Sequence, residues 1–136
     1  MAKVKFLIPL FLIIAASAVA EPSKISEAQA RLLVLKMLQS EGYKTTTPTF
    51  ELERINDPLF PDYYLFGASV NNGERLDTAG EYVVDPRTAD LQEMNICVQP
   101  KARTVRAFQA QLRKSINLFD SERLRLQRQH PLPCFK

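Results

Sequence analysis

Apolar residues recur along this chain at two periods, and the switch between them outlines the fold. Between Ser26 and Glu41 the apolar positions are Ala28, Ala30, Leu32, Leu33, Val34, Leu35, Met37 and Leu38. They cover most of a helical circumference, which predicts a well-buried helix laid across a sheet. Ser26 followed by Gln29 has the spacing of a capping box, and Gly42 stands where a helix ends in a left-handed residue. After a loop at Thr45–Thr49 the period becomes two. Phe50, Leu52 and Ile55 predict a first strand whose other face carries Glu51 and Glu53. Two prolines between Asn56 and Pro61 break it. Asp62–Val70 predicts a second strand with apolar residues at both alternating sets, so that both of its faces are covered. Asn71, Asn72 and Gly73 form a turn signal, and Glu74–Thr78 reads as a connecting loop. Gly80–Asp85 predicts a third strand, Asp85 to Asp90 a turn, and Leu91–Val98 a fourth strand.

The helical period then returns. Pro100 suits a first helical turn, and Val105, Phe108, Leu112, Ile116 and Phe119 make one apolar stripe. The other faces carry Lys101, Arg103, Arg106, Arg113 and Lys114. A short helical extension capped by Asp120 or Ser121 reaches Leu124, and Pro131 and Pro133 end the helical region before Cys134. Helix, antiparallel strands, helix is the order of an α+β domain. The expected fold is an N-terminal helix packed on a three- to four-stranded antiparallel meander, followed by an amphipathic C-terminal helix.

The start of the chain has a different pattern. Lys3 and Lys5 precede an apolar stretch from Phe6 to Ala16, and Ala18-Val19-Ala20 follows with small residues at the cleavage spacing. This is the order of a secretory signal peptide over residues 1–20. An apolar run of about 11 residues falls short of the ~20 that span a bilayer as helix; the alternative is an uncleaved anchor. The expected mature unit is a single α+β domain over residues 21–136, periplasmic or secreted, with no stable membrane insertion after cleavage.

Charge is unevenly divided. The whole chain carries +3, and loss of Lys3 and Lys5 leaves +1. Residues 21–95 hold 7 basic and 13 acidic side chains, net −6, whereas residues 96–136 hold 9 basic and 2 acidic, net +7. An acidic body thus meets a basic C-terminal region. The plain reading of the basic stretch from Lys101 to Arg128 is a solvated helix face; the sharper one is a docking surface for an acidic partner or an anionic envelope polymer. Export, near-neutral mature charge and the lack of aromatic–basic interleaving argue against nucleic acid. Cys97 and Cys134 are the two cysteines. In an oxidising compartment they pair with each other, the alternatives being an intermolecular bridge or a reactive thiol.

Candidate chemistry is sparse. His130 is the single histidine and sits between Gln129 and Pro131, no Gly-x-Ser-x-Gly elbow surrounds a serine, and Cys97 lacks a neighbouring base. Glu51 and Glu53 form a carboxylate pair of the kind used in glycoside hydrolysis, and equally the solvated face of a strand. Asp85 and Asp90 flank a turn, where aspartate serves local hydrogen bonding, at a spacing unlike a calcium loop. No catalytic residue, metal site or cofactor is assigned. The binding candidates are two loops presented by the sheet: Leu59 and Phe60 in one, Asn71, Asn72, Glu74 and Arg75 in the other.

The opening Ser26-Glu27-Ala28, the segment Tyr63-Tyr64-Leu65-Phe66 and the run from Gly80 through Tyr82, Val83, Val84, Asp85 and Thr88 to Asp90 resemble small exported helix-plus-meander domains. PepSY-like domains are one such group; cystatin-like or NTF2-like immunity proteins of bacterial toxin systems are another. The resemblance covers roughly residues 26–95. It implies inhibition or protein binding and transfers no site residue. PepSY-like domains place glycine where Ala89 stands. The leading functional expectation is a non-catalytic inhibitor or immunity protein against an envelope-targeted hydrolase or toxin. The alternative is a structural or regulatory accessory module of an envelope assembly. Intact-mass measurement on the exported protein is expected to find a chain beginning at Glu21; Met1 retained on cytosolic protein would contradict the export reading.

Overall fold

The computed structural model describes residues 23–135, with residues 72 and 75 left out. The expected signal peptide and two of the candidate loop residues, Asn72 and Arg75, therefore lie outside the described residues. The elements follow as α1 (Glu27–Ser40), β1 (Phe50–Ile55), β2 (Tyr64–Asn71), β3 (Leu76–Asp85), β4 (Asp90–Glu93), α2 (Arg103–Ser115), α3 (Asp120–Gln129) and a 3₁₀ turn at Pro133–Phe135. The four strands form one antiparallel sheet in the order β1-β2-β3-β4, an α+β meander.

Helix α1 starts and stops as its sequence dictates. The Ser26 hydroxyl accepts from the Gln29 amide at 3.2 Å, and the Gln29 side chain accepts from the Ser26 amide at 2.8 Å. At the other end Gly42, at φ +92°, lets the Tyr43 amide reach the Leu38 carbonyl and its own amide reach Gln39. These are the two bonds of a Schellman cap. Ala30, Leu33, Val34, Met37 and Leu38 are buried, while Leu32 is half exposed. The helix therefore buries one broad stripe rather than most of its circumference.

The sheet has apolar residues on both faces, as the doubly apolar second strand predicts. One face joins Phe66, Ala68, Tyr82, Val84 and Leu91 to α1 and to Val105 and Leu112 of α2. Leu65 and Val83 point the other way, where they meet Tyr63, Ile55, Phe60, Met94 and Leu132. Leu132 reaches this second face because the C-terminal segment crosses it as a strap. The Tyr63 hydroxyl donates to the Pro131 carbonyl at 2.9 Å, and the Cys134 amide donates to the Gln92 side chain at 3.2 Å. The Cys97–Cys134 disulfide, with Cα atoms 5.7 Å apart, fastens the end.

The structure corrects several expected boundaries. β3 begins at Leu76, so the expected loop at Glu74–Thr78 is largely strand. Its pairing with β2 slips by one residue: Ala68 faces Gly80 but Ser69 faces Thr78, leaving Ala79 as the extra residue of a bulge. Gly80 adopts φ +153° there, and a Cβ would stand 3.1 Å from the Glu93 carboxylate and 3.2 Å from the Tyr82 ring. The bulge hides the alternation that would have revealed the earlier start. The expected fourth strand ends at Glu93 rather than Val98. The Glu93 carboxylate accepts from the amides of Asn95 and Ile96, Cys97 turns at φ +56°, and Val98 folds back to pair with Glu93. A side chain that caps its own downstream amides ends a ladder as a turn does.

Pro100 precedes the helix: α2 starts at Arg103 with Ala102 as its cap residue. Its stripe ends at Ile116. Asn117 takes φ +54°, the Leu118 amide bonds the Arg113 carbonyl and the Asn117 amide bonds Lys114, a second Schellman cap with asparagine in the glycine position. The chain turns away, so Phe119 is 75% exposed and caps α3 instead of extending the stripe. The expected side-chain caps Asp120 and Ser121 are helical residues of α3, which runs on to Gln129.

The Cys97–Cys134 bridge closes a loop of 37 residues, worth about 3–4 kcal/mol in the chain-entropy description. Urea unfolding of the Cys97→Ser/Cys134→Ser variant is expected to show a loss of that order. At the end of α1, desolvation raises the Glu41 carboxyl above its ordinary pKa; the hydrogen bond from the Tyr82 hydroxyl at 3.1 Å opposes this and the Glu93 charge adds to it. A raised carboxyl binds its proton more tightly folded than unfolded, so its effect on stability turns unfavourable as pH rises from below the unfolded pKa through the folded one. Glu41 is largely exposed, which screens the effect. Glu41→Gln is expected to raise Tm by about 1–2 °C at pH 7 and by nothing below about pH 4, measured by thermal unfolding at both values.

Candidate functional site

The meander puts the two candidate loops at opposite ends of the sheet. The β1–β2 loop lies at the end where β2 begins and the β2–β3 loop where it finishes, about 23 Å apart for a strand of this length. They do not converge on one site.

In the first loop the Asp57 carboxylate accepts from the Leu59 amide at 2.8 Å, and the Asp57 carbonyl accepts from the Phe60 amide at 3.0 Å. The Phe60 ring packs edge-on against Tyr63 at 6.5 Å. These bonds hold the loop and leave Leu59 projecting, 76% exposed. Beside it is a recess of about 370 Å³ lined by Arg54, Asn56, Asp57, Pro58, Phe60 and Pro61. The Arg54 guanidinium forms its back wall. It donates to the carbonyls of Ile55, Leu65 and Tyr63 and stacks 5.1 Å over the Tyr64 ring. In the second loop the Asn71 side chain accepts from the Gly73 amide at 3.0 Å, Gly73 takes φ +88°, and Glu74 is exposed.

The residues weighed for catalysis are scattered. Glu51 and Glu53 are exposed on the outer strand β1. Cys97 and Cys134 are bonded to each other. His130 is exposed at the end of α3. Among the described residues, no group of three or more His, Cys, Asp or Glu side chains converges as a metal site, and no helix is long and apolar enough to cross a membrane.

A third region was not singled out as a site by the sequence reading. The turn from Asp85 to Asp90 is buried and hydrogen-bonded on all sides. Asp85 accepts from the Arg87 backbone at 2.9 Å and its guanidinium at 2.7 Å. The Pro86 carbonyl accepts from Ile25 ahead of α1. Ala89 occupies the left-handed region at φ +57° with no exposure, a conformation that glycine adopts more readily than alanine. Gln109 and Arg113 of α2 donate to the Ala89 and Thr88 carbonyls at 2.9 and 2.8 Å. The Asp90 carboxylate accepts from Thr88, Arg113 and Gln127, each at 2.7 Å.

Around Asp90 a cleft opens between β4, α2 and α3, in two connected lobes of about 390 and 210 Å³. Arg106, Arg113, Arg123 and His130 line it together with Gln99 and Gln127. Asp90 is the one carboxylate of the lining, so cationic groups outnumber it. Desolvation lowers the Arg113 pKa; the Asp90 charge opposes this and Arg123 adds to it. The available signal was the +7 charge of residues 96–136, but the sequence could not show that α3 folds back to place Arg123 opposite α2.

No family model matches the sequence, and no curated protein matches it. Among solved structures, the chain resembles one in the structure of a type VI secretion system effector-immunity complex from Pseudomonas protegens. The TM-score is 0.64 at 19% identity, covering 77% of this chain and 88% of that one. At that identity the likeness is one of fold.

The Asp90 hub yields a direct test. Arg113 and Asp90 side chains are 20% and 13% exposed, so removing the carboxylate strands a guanidinium and an amide with little water to replace it. Asp90→Ala is expected to cost about 2–4 kcal/mol in urea unfolding. Asp90→Asn, which keeps two of the acceptor contacts, is expected to cost less.

Proposed function

We propose that this chain is an exported, non-catalytic binding protein of the immunity type, neutralising a toxin or hydrolase that acts in the cell envelope. The observation that carries the reading is the likeness of fold, over most of both chains, to a component of an effector-immunity complex. Three features support it. The sheet is filled on both faces and fastened by a disulfide, which makes a preorganised scaffold suited to an oxidising compartment. The acidic and thiol side chains weighed for catalysis are dispersed or covalently paired. Exposed loops project from the scaffold, with Leu59 standing free beside a recess.

The mechanism is steric occlusion. A preformed surface covers the target's cleft, with no covalent step and no cofactor. Leu59 and Phe60 are the proposed inserting residues. Asn71 and Glu74 lie at the other end of the sheet and would contact a partner only across a broad interface.

The test is neutralisation, by the purified mature protein, of a toxin or envelope hydrolase encoded by an adjacent gene, with complex formation followed by size-exclusion chromatography. A stoichiometric complex and loss of toxicity are expected, and Leu59→Asp is expected to weaken binding about 10- to 100-fold. A toxin that stays fully active and elutes separately would defeat the proposal.

A further inference from the structure

Helix α2 has two faces of opposite character. Val105, Gln109 and Leu112 turn inward and are buried. Arg103, Arg106, Ala107, Ala110 and Lys114 fall on the outward side and are exposed. Positions 103, 106/107, 110 and 114 follow the three- and four-residue steps of a single helical stripe, about 16 Å long. The helix contains no acidic residue. Among the described residues Arg103, Arg106 and Lys114 make no ion pair, whereas the neighbouring Arg113, Arg123 and Arg125 are matched by Asp90, Asp120 and Glu122. Helix stability does not account for Arg103 and Arg106, because like charges one turn apart in a first turn weaken a helix. Ala107 and Ala110 between the cations leave a low floor onto which another backbone can settle. Arg106 also lines the Asp90 cleft, so the stripe and the cleft form one continuous basic surface.

We infer that the outward stripe of α2, continued into the Asp90 cleft, is a docking face for a carboxylate-rich surface of a protein partner. The inference rests on the immunity reading, in which that partner is the neutralised toxin. A standard interface buries about 800 Å² on each side, more than the single Leu59 loop offers, so a broader surface has to contribute. Charge selects the partner: Arg103, Arg106 and Lys114 are exposed cations with no ion pair among the described residues, and Arg106 carries that excess into the cleft, where Arg113 and Arg123 are already matched, so carboxylates are called for opposite. A bilayer fits less well, since the exposed Phe119 that would have to enter it is followed by Asp120 and Glu122.

The experiment uses the mature chain and a fluorescent decaglutamate peptide, with R103E/R106E as the test variant and K24E/K44E as a charge-matched control outside α2. Circular dichroism verifies that each variant folds. Wild type and control are expected to bind the peptide, with affinity falling at least about tenfold between about 20 and about 200 mM salt, and R103E/R106E is expected to lose at least about tenfold. Equal binding by wild type and R103E/R106E overturns the assignment. So does tighter binding to phosphatidylglycerol vesicles than to the peptide, which identifies a lipid surface. Salt-sensitive self-association lost in R103E/R106E by light scattering overturns it in favour of a second copy. With the toxin in hand, a complex indifferent to R103E/R106E sinks this inference and leaves the immunity reading intact. Peptide binding at α2 by a chain that binds no toxin sinks the immunity reading instead and leaves the acid-binding face standing.

Discussion

A single carboxylate organises the C-terminal half of this molecule. Asp90 sits where β4 leaves its turn, and a hydroxyl, a guanidinium and a carboxamide from three parts of the chain donate to it. An amphipathic helix can slide or roll on an apolar surface at little cost, because hydrophobic contact is not directional. The bonds to Asp90 and to the Thr88 and Ala89 carbonyls remove that freedom for α2. Gln127 does the same for α3, which carries only Leu126 as a buried apolar residue. The turn is rigid enough for this because Asp85 locks Arg87 and because Ala89 holds a left-handed backbone inside the core.

The two faces of the sheet are closed by different means. α1 and α2 cover one with whole helices; the other is covered by little more than Leu132, Pro131 and the residues around them. A segment that short buries too little apolar surface to hold itself down. The tyrosine hydroxyl, the glutamine carboxamide and the disulfide supply what the hydrophobic contact lacks. The Cys97 turn and the Cys134 tail are thus a working part of the core rather than an addition to it.

Local chemistry made much of this legible in the sequence. The α1 capping box and Gly42, the alternation of β2 and the inward residues of α2 each depend on neighbours within a few positions, and the expected elements match. The failures share a cause. Ala79 is an extra residue whose presence shows only when β3 is laid against β2. Asn117 ends α2 with a conformation that asparagine adopts less often than glycine. Glu93 stops a strand through a side chain that looks like any other polar position. The basic cleft was visible as charge but not as a place, because its walls come from β4, α2 and α3. The separation of the candidate loops, by contrast, follows from the strand order and was available once the meander was accepted.

The bridge between Cys97 and Cys134 encloses α2 and α3 completely, since both helices lie between the joined cysteines. The basic surface is therefore carried on a closed covalent ring anchored at one side of the sheet. A protease that cuts the exposed bend around Asn117 would leave both fragments attached, one through the peptide chain and the other through sulfur. A cut at this exposed corner therefore leaves both halves of the basic surface joined to the sheet.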